Sequence, residues 1–161
     1  MSQLANATPE RITADAQTPQ VRIFPHNTGE FPERDDLMTW LLNGLRGRGG
    51  EYHLTSADAV ADLPPGSIVL FRHGNEIIGE AVVRKGKELC SGKAYAAQVT
   101  FATSSIRLYS PPVDINKIQP LVDESQIKKD LSGARPYYIL NWDIYGRILK
   151  EVAEAGAFIG G

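Results

Sequence analysis

The strongest constraint on the fold of this chain is a β-hairpin signal near its middle. Two runs rich in β-branched and aromatic residues, 67–72 (SIVLFR) and 76–83 (EIIGEAVV), flank the short segment 73–75 (HGN). Such runs on either side of a glycine-containing turn are typical of an antiparallel hairpin. Gly79 interrupts the second run, which predicts a bulge or a close backbone approach, as a curled sheet requires.

The rest of the chain predicts further short strands and helices. Further strands are predicted at 21–24, 52–54, 95–103, 105–109 and 136–140. Helical periodicity predicts a helix that starts near Pro32 and ends at Gly44 to Gly47, short helices at 56–62 and 125–131, and a final helix capped by Asn141. Pro25 is expected to end the first strand, 84–87 (RKGK) to form a basic turn, and Pro111-Pro112 to break the chain before an irregular path over 113–122.

The order of these elements is not a βαβ alternation, because neighbouring strands are mostly joined by turns. It predicts an α+β fold, with a curled mixed sheet or partly closed β-barrel flanked by short helices. The length of 161 residues suits one domain, expected at 21–158. Residues 1–20 are polar and poor in large apolar side chains, which predicts a disordered N-terminal arm.

Composition argues against several classes of protein. No apolar run approaches the ~20 residues that span a bilayer, and residues 1–20 lack the apolar core of a secretory signal, so a cytoplasmic protein without membrane contact is expected. Cys90 is the single cysteine, which excludes an intrachain disulfide and a thiolate cluster. Phosphate-loop, zinc-helix and nucleophile-elbow motifs are missing. We therefore assign no catalytic residue, no metal ligand and no cofactor.

Two basic segments are candidates for binding a polyanion. Arg46 and Arg48 lie in 46–50 (RGRGG), where glycines let backbone N–H groups approach phosphate oxygens. Arg84, Lys85 and Lys87 form the second segment. Since the net charge is only −2, such binding would be confined to a patch. The same residues would also occur in two solvated turns that bind no polyanion.

Aromatic side chains next to these segments are candidates to stack on a planar base, an interaction worth ~1–3 kcal/mol for each base. They are Tyr52, His53 and Tyr95. Other aromatic residues occupy apolar-periodic or element-start positions and are expected mostly in the core. They are Trp40, Phe71, Phe101, Trp142 and Tyr145.

The run 64–88 (PPGSIVLFRHGNEIIGEAVVRKGKE) resembles the hairpin of the PUA-like superfamily, especially its EVE and YTH branches. The first strand with its Asn-containing loop (21–28) and the short aromatic strand before Thr55 follow the same order. The closing stretch 133–152 (GARPYYILNWDIYGRILKEV) is similar to the last strand and helix of EVE domains. The resemblance covers about residues 20–155 and is one of pattern rather than of a single motif.

The resemblance implies a function. In these families the barrel mouth holds a flipped or splayed nucleobase, usually a modified one, in an aromatic cage. It implies Asn27 as the loop asparagine, Tyr52 or His53 as the first cage aromatic, and Tyr95 in place of the second, a tryptophan in the families. We therefore expect a DNA-binding reader of a modified, flipped-out base. It would be the specificity module of a modification-dependent restriction system, with any nuclease in a separate or associated domain.

Three alternatives stay open at this point. An RNA-binding reader would use the same pocket. A small enzyme of the related ASCH type, acting on RNA or amides, would place a catalytic Lys93 or Glu80 at the barrel mouth. A plain protein-interaction barrel would need neither a base pocket nor a catalytic residue.

Overall fold

The computed structural model describes residues 18–26, 28–55, 63–92, 94–124, 131 and 138–160. The strands are β1 (Val21–His26), β2 (Glu51–Leu54), β3 (Ile68–His73), β4 (Glu76–Leu89), β5 (Ala97–Phe101), β6 (Arg107–Asp114), β7 (Tyr138–Leu140) and β8 (Ala157–Ile159). The helices are α1 (Arg34–Thr39), which continues as a π-helix (Trp40–Leu45), then α2 (Ile115–Glu124) and α3 (Trp142–Ala155). None of the helices in these ranges is both long and apolar enough to span a bilayer.

These strands form one mixed sheet that is not closed into a barrel. Its order is β2-β5-β4-β3-β1-β7, and β6 pairs with both β4 and β8. Strands β1 and β3 are parallel, whereas the other described pairs are antiparallel. The predicted α+β class with a mixed sheet flanked by helices is confirmed.

Strand β4 is the centre of this sheet, because it is long enough to pair with three other strands. It pairs with β3 in the predicted hairpin and with β6 and β5 along its other edge. Gly79 lies where the β4–β6 register shifts, and a Cβ atom there would lie 2.5 Å from the carbonyl oxygen of Arg107. The predicted close backbone approach at Gly79 is confirmed.

The predicted basic turn at 84–87 is wrong, because this segment lies inside β4. Lys85 pairs with Thr100 of β5, and the register shifts on both sides of that pair. At Gly86, a Cβ atom would lie 2.9 Å from the carbonyl oxygen of Leu63. The glycine that suggested a turn therefore permits a close contact within a continuing strand.

Prolines also lie inside strands that they were expected to end. Pro25 belongs to β1, where it pairs with Arg72 of β3 and lies beyond the described pairs with β7. Pro111 and Pro112 lie within β6 in the stretch that does not pair with β4. Because proline removes only a donor, a strand continues through it where no partner needs that donor.

The irregular path expected for 113–122 is also wrong, because most of it is helix α2. Ile115, Ile118 and Val122 are spaced three or four apart and are buried. This apolar face packs into the core despite Pro120 in the helix. The apolar spacing was the signal that outweighed the prolines.

Helix α3 confirms its prediction in detail. The side chain of Asn141 accepts a hydrogen bond from the backbone N–H of Asp143, as an N-cap residue does. Ile144, Ile148 and Val152 are buried along one face of the helix. After α3 and Gly156, residues 157–159 form β8, a strand that the sequence did not predict, and it pairs with β6.

Two hydrophobic clusters cover the two faces of the sheet. Neighbouring residues of a strand belong to different clusters, as Ile23 and Phe24 do in β1 and Leu70 and Phe71 in β3. Helix α1 and its π-helical extension pack against the first cluster, and α2 and α3 pack against the second. Burial on both faces explains why these strands are continuous apolar runs rather than alternating ones.

Several predictions lie wholly or mostly outside the described residues. They concern residues 1–17 of the arm predicted at 1–20, the helices at 56–62 and 125–131, and the first residues of the strand at 136–140. Residues 18–20 of that arm are described, and the backbone N–H of Gln20 donates to the hydroxyl of Ser67 at 3.0 Å.

Candidate functional site

A pocket of about 330 Å³ opens beside β2, the strand at one end of the sheet. Its volume lies in the range typical of small-molecule sites. Three aromatic rings, an imidazole and one guanidinium dominate its wall. The lining residues are Glu30, Phe31, Trp40, Arg48, Tyr52, His53 and Thr55.

Strand β2 contributes two neighbouring side chains to this pocket. Successive residues of a strand point to opposite faces, so Tyr52 faces the core while His53 lies half-buried on the outer side. The ring of Tyr52 lies 5.4 Å from that of Phe24 and 5.9 Å from that of Phe101, measured between centroids. The pocket therefore extends around β2 at the end of the sheet, with Tyr52 as a fixed inner wall.

A buried histidine fixes the hydroxyl of Tyr52. The Nδ1 atom of His26 lies 3.3 Å from the carbonyl oxygen of Arg72, which can only accept, so this nitrogen carries the proton. Its Nε2 atom then accepts a hydrogen bond of 2.8 Å from the Tyr52 hydroxyl. Burial lowers the pKa of His26 from 6.5 to about 4, so the ring is neutral at pH 7. Sequence reasoning assigned His26 no part in the site.

Trp40 forms a second wall of the pocket. It begins the π-helical segment, and its ring centroid lies 5.6 Å from that of Phe31 and 6.0 Å from that of Tyr52. The indole lies directly over Gly44, where a Cβ atom would be 2.5 Å from Trp40 Cδ1. The sequence predicted mainly a core residue here, whereas the structure leaves Trp40 half-buried at the pocket. The sequence signal that could have revealed this is Gly44, four residues after Trp40.

Arg48 lies at the rim of the pocket. Its Nη2 atom is 2.6 Å from Nδ1 of His53, and its Cζ atom is 5.7 Å from the centre of the Trp40 ring. A guanidinium can only donate, so Nδ1 of His53 accepts and the proton of the neutral imidazole lies on Nε2. Arg48 thus joins the two walls of the pocket and places a positive charge at its opening.

His53, which lines the pocket, forms a stacked pair with Tyr95, which does not line it. Their ring centroids are 3.5 Å apart and their planes are inclined by only 8°. The structure therefore brings together two of the residues that the sequence proposed for base stacking. The rings are in van der Waals contact, so a planar ligand between them would require a spacing of about 7 Å, twice the contact distance.

The remaining predicted site residues do not line the pocket. Arg46 turns toward the protein, where its Nη2 donates to the carbonyl oxygen of Ile106 at 2.8 Å. Its Nε is buried without a hydrogen-bond partner among the described residues. Arg84, Lys85 and Lys87 lie on β4, which β5 separates from β2. Asn27 lies outside the described residues.

Glu80, the acidic residue proposed for an enzyme, is engaged on both carboxylate oxygens. It accepts hydrogen bonds from Tyr109 at 2.6 Å and Tyr145 at 2.7 Å, and Arg107 Nη2 lies 3.3 Å from Oε2. Burial raises the pKa of both tyrosines well above the usual range, so both hydroxyls stay protonated and donate. Glu80 is only 3% exposed and joins β4 to β6 and α3, which is typical of a structural group.

Lys93, the other candidate for catalysis, lies outside the described residues. Within the described ranges, no group of three His, Cys, Asp or Glu side chains could hold a metal ion.

Comparison with known proteins identifies the fold through structure rather than sequence. The sequence matches no protein-family model and no curated protein. Among solved structures, Atu2648 from Agrobacterium tumefaciens is similar with a TM-score of 0.58 and 12% identity, over 88% of this chain and 99% of that chain. The YTH domain of Zygosaccharomyces rouxii MRB1, solved with N6-methyladenosine RNA, is similar with a TM-score of 0.54 and 13% identity, over 84% of this chain and 87% of that one.

A second YTH domain agrees with this result. The Pho92 YTH domain, solved in complex with m6A, has a TM-score of 0.51 and 11% identity, over 88% of this chain and 90% of that one. Each likeness extends over most of both chains, so the chain has a YTH-type fold. This agrees with the fold that the sequence pattern implied.

Proposed function

We propose that this domain is a reader of a modified nucleobase, which it binds in the pocket beside β2 without changing it chemically. The observation that carries the proposal is an aromatic pocket whose lining residue His53 stacks on Tyr95. The YTH-type fold supports it, because two solved structures with that fold contain N6-methyladenosine.

Binding would proceed by insertion of the base between the two stacked rings. Separating His53 from Tyr95 loses one ring-to-ring contact, and insertion of a flat heterocycle creates two. Stacking of a base on an aromatic side chain is worth ~1–3 kcal/mol. The exchange is therefore favourable and helps to offset the few kcal/mol that unstacking a base from its strand costs.

The pocket beyond the stacked pair supplies selectivity. The rings of Trp40, Tyr52 and Phe31 offer an apolar surface on which a methyl group of a modified base would be buried. Arg48 at the rim donates hydrogen bonds to an acceptor on the base or to a phosphate oxygen. The fixed bond between Tyr52 and His26 holds the inner wall in place without ligand, which reduces the cost of ordering it on binding.

The proposal extends to the polymer and to its biological setting. We propose a flipped-out base in DNA as the target and a modification-dependent restriction system as the setting, with a nuclease in a separate or associated domain. The backbone would be held by four of the basic residues predicted from sequence, Arg48, Arg84, Lys85 and Lys87. The fifth, Arg46, is engaged instead with the carbonyl oxygen of Ile106. The aromatic contacts involve only the base, and a phosphate near Arg48 is common to both polymers. An RNA strand therefore presents the same chemistry there, and the test includes both polymers.

The test is a binding titration with matched oligonucleotides. Duplex DNA and single-stranded RNA would each be prepared unmodified and with N6-methyladenine, and the DNA also with 5-methylcytosine or 5-hydroxymethylcytosine. We expect one modified form to bind at least tenfold more tightly than its unmodified match. Equal affinity for every pair would refute the reader function, and turnover of any oligonucleotide would favour the enzyme.

Variants assign the preference to the pocket. Tyr95→Ala removes one stacking face, worth ~1–3 kcal/mol, but also the ring-to-ring contact of about 0.5–1.5 kcal/mol that insertion must break. The modified strand should therefore bind about 2- to 10-fold more weakly. Tyr95→Phe keeps the ring and should retain the affinity. Leu89→Ala is the matched control, because Leu89 is 75% exposed and does not line the pocket. Equal losses for Tyr95→Ala and Leu89→Ala would contradict the proposed site.

A further inference from the structure

A second cavity, of about 400 Å³, lies beside the other hydrophobic cluster, under α3. It combines apolar walls with several polar groups. Among its lining residues are Ile68, Glu80, Val82, Ser104, Arg107 and Tyr145. Its volume is sufficient for a single heterocycle.

The charge in this cavity is balanced. Arg107 lies 3.3 Å from the carboxylate of Glu80, and its guanidinium lies 3.9 Å from the centre of the Phe158 ring. These contacts hold Arg107 in place and compensate its charge. A guanidinium has five N–H donors, more than this one carboxylate can accept. The cavity therefore favours a neutral ligand with hydrogen-bond acceptors over a phosphate, which would be repelled by Glu80.

An exposed tryptophan, Trp142, packs against Tyr145 of the cavity wall. Trp142 is 45% exposed, although its sequence position predicted mainly a core residue, so that prediction is wrong for Trp142. Its ring is inclined by 80° to that of Tyr145 at 5.9 Å between centroids. Its Nε1 donates to the carbonyl oxygen of Pro19 at 3.2 Å, which orients the indole. An oriented, exposed indole is a surface on which a planar base can stack.

We propose that this cavity is a second subsite for a nucleobase. The base stacks on Trp142, and its edge accepts hydrogen bonds from Arg107 and from the exposed hydroxyl of Ser104. A free nucleoside and a base of a bound strand share this chemistry. If the ligand is a base of the same strand that the pocket beside β2 reads, the inference rests on the proposed function. If the ligand is a free nucleoside, it does not.

The chain contains two tryptophans, and one lies at each site, so fluorescence can distinguish the sites. Trp40→Phe leaves Trp142 as the reporter of the second subsite, and Trp142→Phe leaves Trp40 as the reporter of the first pocket. The probes are adenosine and a nine-nucleotide single-stranded RNA, with the matching DNA in parallel. We expect saturable quenching of Trp142 by both the oligonucleotide and adenosine. Because the site is neutral, adenosine quenching should change little with added salt.

The two proposals fail in different ways in this assay. No response of Trp142 to either probe overturns the second subsite, whether or not Trp40 responds. If Trp40 does not respond and no modified base is preferred, the reader function is refuted. The second subsite then depends only on whether adenosine quenches Trp142. Quenching of Trp142 by the oligonucleotide but not by adenosine identifies a strand base as the source of the ligand.

Affinity variants complete the test. Trp142→Ala should weaken oligonucleotide binding about five- to tenfold, the lower part of the stacking range, because one face of the indole is used. Ile139→Ala is the matched control, because Ile139 is equally exposed at 45% and carries no ring on which a base can stack. It should change the affinity less than twofold. Equal losses in the two variants would overturn the subsite.

Discussion

Acidification should destabilise this protein through His26, the buried histidine behind the pocket. Its pKa is about 4 in the folded protein, because burial disfavours the charged ring, and 6.5 in an unfolded chain. Between these values the unfolded chain binds a proton that the folded protein does not. The free energy of unfolding should therefore begin to fall below pH 6.5 and stop falling, for this residue, near pH 4. Above pH 6.5 His26 adds no pH dependence.

The magnitude follows from the two pKa values. Each unit of difference is worth ~1.4 kcal/mol, so a lowering from 6.5 to about 4 costs about 3 kcal/mol at pH 4. Small domains have a free energy of unfolding of roughly 5–15 kcal/mol. One histidine can thus remove a large share of the stability.

The assay is urea unfolding from pH 7.5 to 4, for the wild type and for His26→Gln. Subtracting one curve from the other removes the titration of all other groups. The difference should shrink by about 3 kcal/mol between pH 6.5 and 4. Tyr52→Phe removes the hydroxyl partner of His26 but should keep most of this pH dependence, since burial is its largest cause. Parallel curves for wild type and His26→Gln would refute the reasoning.

Two further predictions concern single side chains with matched controls. Gly44→Ala should displace the Trp40 ring, because the new methyl group would lie 2.5 Å from it. It should therefore shift Trp40 emission and weaken base binding several-fold. Gly47→Ala should do neither, because nothing lies within 4 Å of a methyl group there. Glu80→Gln should lower the free energy of unfolding by roughly 2–4 kcal/mol, because it breaks a buried charged network, whereas Glu76→Gln, whose pair with Arg34 is exposed, should cost under ~1 kcal/mol. Tryptophan fluorescence and a binding titration measure the glycine pair, and urea denaturation measures the glutamate pair. Equal effects within either pair would contradict the corresponding prediction.

Local patterns predicted the elements whose signals lie within one short segment. The hairpin of β3 and β4 and the capped helix α3 are examples, because a turn glycine and an N-cap asparagine act on their immediate neighbours. Gly86 and the Pro111-Pro112 pair were misleading for the converse reason. A proline ends a strand where a partner strand needs an N–H group at that position, and a glycine can stay within a strand where another backbone approaches closely. In both cases the partner is distant in sequence.

The candidate site was predictable in part. His53 and Tyr95 were selected because they adjoin basic or glycine-rich segments, and the structure stacks them on each other. Trp40 and Trp142 were assigned mainly to the core, since an apolar-periodic position does not show what will cover the ring. His26 carried no sequence signal, because its role depends on burial behind Tyr52.

By itself the sequence determined that the chain would form a mixed α+β domain, with β-rich runs around a central hairpin and helices apolar on one face. These are properties of periodicity, which neighbouring residues determine. Only the tertiary structure decided which aromatic rings remain accessible, which nitrogen of His26 carries the proton and which charges are compensated, as at Arg107. Each of these depends on groups that folding brings together from distant parts of the chain and on the water that their contact removes.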